Sequence, residues 1–407
     1  MTVLGEHRSV GAAPSVQEGP AGSPRSTASP ASHADVRTGA LGGAWHPARG
    51  AGERRFARIG ALGLESGTVL EDVTMAYESW GTLDPDGGNA VLVLHALTGD
   101  SHVRGRADDS HPSPGWWEEI VGPGRPIDTD RFHVIAPNVL GGCQGSTGPS
   151  SPGPEGAPYG SRFPTITTRD QVVAERSLRE QLGIERWALV IGGSMGGMRA
   201  IEWAVSFPDE VARLGVIASS ARATADQIAW NSTQIASIRL DPEFRDGDYY
   251  DQGAGPRRGL GLARRIAHTT YRTGAELEER FGNTAQGGED PFDGRGRHQV
   301  TSYLDHHGVK LARRFDANSY IALAETMSTH DVGRDRGGVA AALQRVSART
   351  LVVAIDSDRL FPPDLVQEVA THIPRAEWHL ASSPIGHDAF LLAHPGLEKW
   401  IAALLDD

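Results

Sequence analysis

Trp187-Ala188-Leu189-Val190-Ile191-Gly192-Gly193-Ser194-Met195-Gly196-Gly197 is the stretch whose reading decides the fold. The apolar run Trp187 to Ile191 reads as a strand covered on both faces. A helical pattern from Met198 to Val205 follows directly. Between them Gly192-Gly193-Ser194-Met195-Gly196 matches G-x-S-x-G in the strand–turn–helix context that this motif requires. Glycines flanking the serine allow strand and helix to approach closely and let the serine adopt a strained turn. The plainer alternative is a glycine-rich turn with an incidental serine, and the correct flanks on both sides weigh against it.

Working outward, further short buried-strand patterns occur at Ala90–Leu94, Phe132–Ala136, Leu214–Ala218, Thr350–Ile355 and Glu377–Leu380. Their alternation with helical patterns predicts an α/β fold with a mostly parallel central sheet. From about Ala221 to Ala340 the alternation stops. Gly259–Tyr271 is a basic amphipathic segment and Asn318–Met327 a second helix, with no convincing buried strand. Such an insertion after a strand is expected to form a helical lid over the strands' C-terminal ends. The expected organisation is a disordered extension over 1–45, a core from 46–220 and 341–407, and a lid over 221–340. Residues before about 45 are rich in Ala, Gly, Ser and Pro without periodicity, and folded sequence is expected from near Arg55.

The 407 residues suffice for a large core, and a net charge of −12 argues against nucleic acid as partner. The single cysteine, Cys143, excludes an intrachain disulfide and a cysteine-based zinc site, and no metal is expected. It reads as a small buried residue shaping its loop. No apolar run reaches bilayer length and no apolar signal core opens the chain, so a cytoplasmic protein away from membranes is expected.

A serine hydroxyl needs a base, and that base needs a carboxylate to orient it. In this kind of fold the order along the chain is Ser, then Asp or Glu, then His. His387 fits, because it follows a strand pattern and precedes a short helix at Ala389–Leu392. The carboxylate should leave the strand ending at Ile355, where Asp356 and Asp358 both stand. Local reasoning leaves these two open, since Asp also serves ordinary turns. The oxyanion hole needs two N–H groups, expected from Met195 and from Leu97 in the loop after Ala90–Leu94.

Several motifs together resemble the homoserine O-acyltransferase family, and its acetyl-using members in particular. They are His95–Asp100, Asn138–Pro149, Gly193–Met198, Ser357–Pro362 and Gly386–Leu391. The likeness runs from about Arg55 to the C-terminus, and the Asn138–Pro149 motif is the most specific of the set. The resemblance implies an α/β-hydrolase fold and a Ser194–Asp358–His387 triad, favouring Asp358 over Asp356. It implies that Arg264 holds a substrate carboxylate, with adjacent Arg265 the alternative register, and that Asp388 holds the amino group of homoserine. For Arg264 the plainer role is a solvated basic helix face; for Asp388 it is an N-cap. The implied reaction is ping-pong acetyl transfer from acetyl-CoA to homoserine in methionine biosynthesis. Acetyl-CoA is a co-substrate, with no cofactor, and a homodimer through the lid is implied.

Rival readings keep the serine but change the acceptor to water, as in a carboxylesterase, or change the donor to succinyl-CoA or the acceptor to serine. A catalytically dead binding protein is a further alternative, which the filled triad positions disfavour.

Overall fold

The computed structural model describes residues 43–253 and 255–406. Nearly all of the extension expected over 1–45 therefore lies outside the described residues. The described chain packs onto the core earlier than Arg55: Ala44 is buried, and the Trp45 N–H donates to the Cys143 carbonyl at 2.8 Å.

The ten strands among the described residues are β1 (Arg55–Gly63), β2 (Val69–Trp80), β3 (Ala90–Leu94), β4 (Val121–Gly122), β5 (Ile127–Asp128), β6 (His133–Pro137), β7 (Leu189–Gly193), β8 (Arg213–Ile217), β9 (Arg349–Ile355) and β10 (Ala376–Ala381). Eight of them form one sheet in the order β1-β2-β6-β3-β7-β8-β9-β10, and β4 and β5 form a separate small pair. From β6 to β10 all pairings are parallel, while β1–β2 and β2–β6 are antiparallel. The mostly parallel α/β sheet expected from the apolar runs is what forms. Every residue of β3 and β7 is buried, as a strand covered on both faces requires. Each fully buried Leu, Ile or Val there contributes about 1.5–3 kcal/mol relative to exposure.

Two sequence expectations are corrected. The strand expected at Trp187–Ile191 runs Leu189–Gly193, with Trp187 reduced to an isolated bridge to Val211. The antiparallel pair β1–β2 was not expected at all. Its β1 member alternates between exposed and half-buried positions with one buried leucine, so no continuous apolar run marks it.

The covering helices include α1 (Thr168–Gln181) and α2 (Met195–Ser206), the latter rising directly from the turn after β7. Between β8 and β9 stand α3 (Ala225–Arg239), α4 (Arg257–Tyr271), α5 (Gly274–Phe281), α6 (Gln299–Arg314), α7 (Ala317–Ser328) and α8 (Val339–Leu343), with no sheet strand among the described residues of that segment. Helix α8 straddles the 340/341 boundary drawn from sequence. Then α9 (Pro363–His372) and α10 (Pro395–Asp406) complete the chain, with a short 3-10 turn at His387–Leu391 between β10 and α10. No described helix is long and apolar enough to cross a membrane.

Candidate active site

Ser194 occupies the turn between β7 and α2 with φ 56° and ψ −126°. For a residue bearing a Cβ this conformation costs about 1–3 kcal/mol. The surrounding glycines make the turn possible. A methyl group on Gly196 would collide with the Leu94 carbonyl oxygen, and one on Gly193 with the Phe390 ring. The Ser194 N–H donates to Ile217 O at 3.0 Å, and its carbonyl accepts from Ser219 Oγ at 2.7 Å. β8 and the loop after it thus hold the strained residue in place.

His387 Nε2 lies 2.9 Å from Ser194 Oγ, and His387 Nδ1 lies 2.6 Å from Asp358 Oδ2. All three side chains are nearly closed to solvent, at 5 % exposure for Ser194 and 3 % for the other two. Burial works to lower the His387 imidazole, but the charge and hydrogen bond of Asp358, with the charge of Asp388, outweigh it and hold the group above its ordinary value. The ring stacks on Phe361, with centroids 5.1 Å apart, and meets Phe390 edge-on at 5.5 Å. These apolar walls fix its plane while leaving both nitrogens to polar partners.

The two aspartates left open by local reasoning are separated by geometry. Asp358 Oδ1 accepts from the N–H groups of Leu360 and Phe361, at 2.8 and 2.9 Å, which frees Oδ2 for the histidine. Asp356 instead accepts from Ser382 Oγ and the Ser383 N–H, at 2.6 and 3.0 Å, and ties the loop after β9 to the loop after β10.

The loop His95–Asp100 is held by its carbonyls. His95 O accepts from Arg199 Nη2 at 2.6 Å, Ala96 O from the Gly99 N–H at 2.9 Å, Thr98 O from Arg314 Nη2 at 2.7 Å and Asp100 O from Trp116 Nε1 at 2.9 Å. His95 Nε2 in turn accepts from the Val139 N–H at 3.1 Å, which ties the loop to the Asn138–Pro149 segment. Among the described residues neither the Leu97 nor the Met195 backbone N–H donates to a protein acceptor. Met195 also opens α2, where the helix dipole favours negative charge.

On α4, between β8 and β9, Arg264 sits half-buried with its guanidinium 5.2 Å from the Tyr271 ring centroid and Nη1 3.4 Å from Thr98 Oγ1. Its neighbour Arg265 turns the other way and pairs with Asp305 at 3.1 Å. Asp388 lies 3.7 Å from Arg272. Burial raises its carboxyl above the usual range, partly countered by the charges of Arg264, His387 and Arg272. It is not the N-cap of the turn that follows, since that position belongs to Gly386.

Sequence reasoning missed Arg199, Arg272, Arg314 and Tyr271. Arg199 carried a signal, being a charged residue on the buried helix behind the serine. It is fully buried, paired with Glu175 at 2.5 Å, and Glu175 also accepts from Trp203 Nε1 at 2.7 Å. For Arg314 nothing local distinguishes it from neighbouring Arg313.

One further cluster has metal-ligand chemistry: Glu78, His102 and His111, all buried. The two imidazoles stack with centroids 3.9 Å apart and an interplanar angle of 11°. A metal ion must lie in the plane of each imidazole that binds it, and parallel stacked rings share no plane. The cluster is instead a hydrogen-bonded network. His102 Nδ1 and Ser101 Oγ reach Glu78 at 3.1 and 2.6 Å, and Arg54 lies 3.3 Å from His111 Nδ1. Burial pushes the Glu78 carboxyl up, but the contacts from His102, His111 and Ser101 prevail and lower it to about 2.

Comparison with known proteins places these features in context. Residues 89–393 match the alpha/beta hydrolase fold family. The chain is 58% identical over 352 residues to a homoserine O-acetyltransferase of Thermobifida fusca (strain YX), covering 86% of this chain and 93% of that protein. Among solved structures it resembles a homoserine O-acetyltransferase from Bacillus anthracis, with a TM-score of 0.80 at 26% identity over 87% of this chain and 97% of that one. It is equally close in shape to esterase E22, with a TM-score of 0.80 at 28% identity over 87% of this chain and 99% of that one.

Proposed function

The chain belongs to the homoserine O-acetyltransferases of the α/β-hydrolase fold, and on that premise we propose that it acetylates homoserine from acetyl-CoA through an acetyl-Ser194 intermediate. The single observation that carries the mechanism is the unbroken chain from Asp358 Oδ2 through His387 to Ser194 Oγ. His387 takes the Ser194 proton at Nε2 as Oγ bonds to the thioester carbonyl carbon. Asp358 holds the imidazole in the required tautomer and stabilises the imidazolium. The oxyanion takes its hydrogen bonds from the Leu97 and Met195 N–H groups. Collapse breaks the C–S bond, and the departing CoA sulfur receives the proton from His387.

Homoserine then enters with its carboxylate on Arg264 and its ammonium on Asp388. A guanidinium suits the first because it binds a carboxylate bidentately. Arg265 is committed to Asp305, which favours the Arg264 register. His387 deprotonates the homoserine hydroxyl, the new C–O bond forms, and Ser194 leaves with the proton returned to it. Water is the competing acceptor, and the low exposure of the three side chains supports transfer over hydrolysis.

Methionine biosynthesis and a cytoplasmic setting, where CoA thioesters are at hand, belong to the same reading. So does a homodimer through the 221–340 segment, supported by apolar side chains left exposed on α3 and just after it, Ile228 at 41% and Leu240 at 82%. The test is to treat the protein with acetyl-CoA alone and look for an acetyl group on the peptide containing Ser194. The adduct is expected to form and to disappear on adding homoserine. Full turnover with no adduct under rapid quench would replace the covalent route with direct transfer.

A further inference from the structure

We infer that Arg314, on the last turn of α6, is a positioning residue for the oxyanion hole. It holds the Thr98 carbonyl and so makes the charge-stabilising loop dependent on a seated lid. The inference rests on the serine mechanism proposed above.

The loop from His95 to Asp100 has no secondary structure of its own to keep Leu97 in one orientation. Its conformation is set by what its carbonyls bind. Two anchors come from outside the lid: fully buried Arg199 on the His95 carbonyl and half-buried Trp116 on the Asp100 carbonyl. The Ala96 carbonyl is bound within the loop by the Gly99 N–H. The Thr98 carbonyl, next to Leu97 in the chain, is bound by Arg314 alone among these anchors from across the lid, 216 residues away in sequence. Rotating the peptide unit at Thr98 would lose a charge-assisted hydrogen bond of 2.7 Å. It would also disturb the backbone on which the Leu97 N–H depends.

Arg314 is itself well placed to act as a fixed strut. Its own carbonyl accepts from Gln144 Nε2 at 2.7 Å, so the end of α6 is fastened to the Asn138–Pro149 segment. The next residue, Phe315, is fully buried and its backbone is pressed against Gly43. Asp100 Oδ2 lies 3.9 Å from the guanidinium and balances its charge. The neighbouring cation Arg264 reaches only the Thr98 hydroxyl, at a longer 3.4 Å. Two lid arginines therefore converge on one loop residue. Arg264 remains free to take substrate, and Arg314 is committed to the backbone.

The variants that separate these roles are Arg314→Met, which keeps length and loses the donor, and Arg314→Lys, which keeps a donor. The acylation rate is read from the pre-steady-state burst with p-nitrophenyl acetate, which needs neither homoserine nor CoA. Steady-state kcat and homoserine KM are read with acetyl-CoA. Loss of a whole oxyanion donor costs about 10²–10³ in rate, so a loosened one should cost about tenfold or more. Expected for Arg314→Met is acylation slowed at least about tenfold with homoserine KM within about twofold, and for Arg314→Lys a return to within about threefold of the parent rate. Acylation by Arg314→Met at the parent rate, equal slowing by both variants, or a rise confined to homoserine KM would each overturn the inference. Should the Met variant not fold, Arg314→Leu, which also lacks a donor, takes its place under the same criteria. Because the burst does not involve homoserine, failure of the parent protein to acetylate homoserine would defeat the proposed acceptor while leaving the brace testable.

Discussion

Asp356 and Asp358 leave the same strand two residues apart, yet only Asp358 reaches His387, at 2.6 Å, while Asp356 ties its loop to the neighbouring one through Ser382 and Ser383. Replacing Asp358 with Asn should therefore lower kcat by about 10³–10⁴, the scale set by serine triads that lose their carboxylate. Asp356→Asn should leave kcat within about threefold and show itself as a lower melting temperature, in line with weakened hydrogen bonds between the two loops. Steady-state kinetics of the two variants side by side, with melting curves, check both halves.

Ser194 stores strain that a glycine would not. Both Ser194→Ala and Ser194→Gly should abolish acyl transfer, because each removes the nucleophile. The glycine variant should be more stable than the alanine variant by about 1 kcal/mol, the relief of the positive φ less the entropy cost of glycine. Chemical denaturation of the two inactive proteins measures the difference, and equal stability would mean that the turn is unstrained.

Arg264 and Arg265 adjoin in sequence but face different surroundings. Arg264→Ala should raise homoserine KM by at least about tenfold, the loss of a charge-assisted contact with the substrate carboxylate. Arg265→Ala should change it little, since that side chain faces Asp305. A reversed pattern would transfer the anchoring role to Arg265.

His387 must be neutral to act as a base. Its imidazole is held above its ordinary value, with Asp358 and Asp388 overcoming the effect of burial. Activity should accordingly fall as pH drops through a midpoint higher than that of a free histidine. The stability sign is opposite to that of a paired carboxylate: the group's contribution is complete below its unfolded pKa and is lost as pH rises through the folded one. Asp388→Asn removes one of the raising charges, so the acid limb of kcat/KM for p-nitrophenyl acetate should move to lower pH. An unmoved limb would mean that Asp388 does not act on His387.

How much of this was legible in the sequence depends on the range of the interaction. The strand–turn–helix around Ser194 is local, and the glycines that make it possible are adjacent to it, so the motif disclosed the fold and singled out the serine proposed as nucleophile. His387 was reached through chain order. The choice of Asp358 needed either the family likeness or the hydrogen bonds of Leu360 and Phe361, which no spacing rule supplies. The hairpin of β1 and β2 escaped because a half-exposed strand has no apolar run. The braces of the oxyanion loop were invisible for a different reason. Arg199 meets His95 across 104 residues and Arg314 meets Thr98 across 216. Each is an ordinary arginine on a helix until the chain is folded.

The most direct measurement is free-CoA release by the purified protein, comparing acetyl-CoA with succinyl-CoA and each with and without homoserine. Sustained release that requires both acetyl-CoA and homoserine, with O-acetylhomoserine formed in equal amount, is the expected result. Equal release without homoserine would contradict it and make water the acceptor.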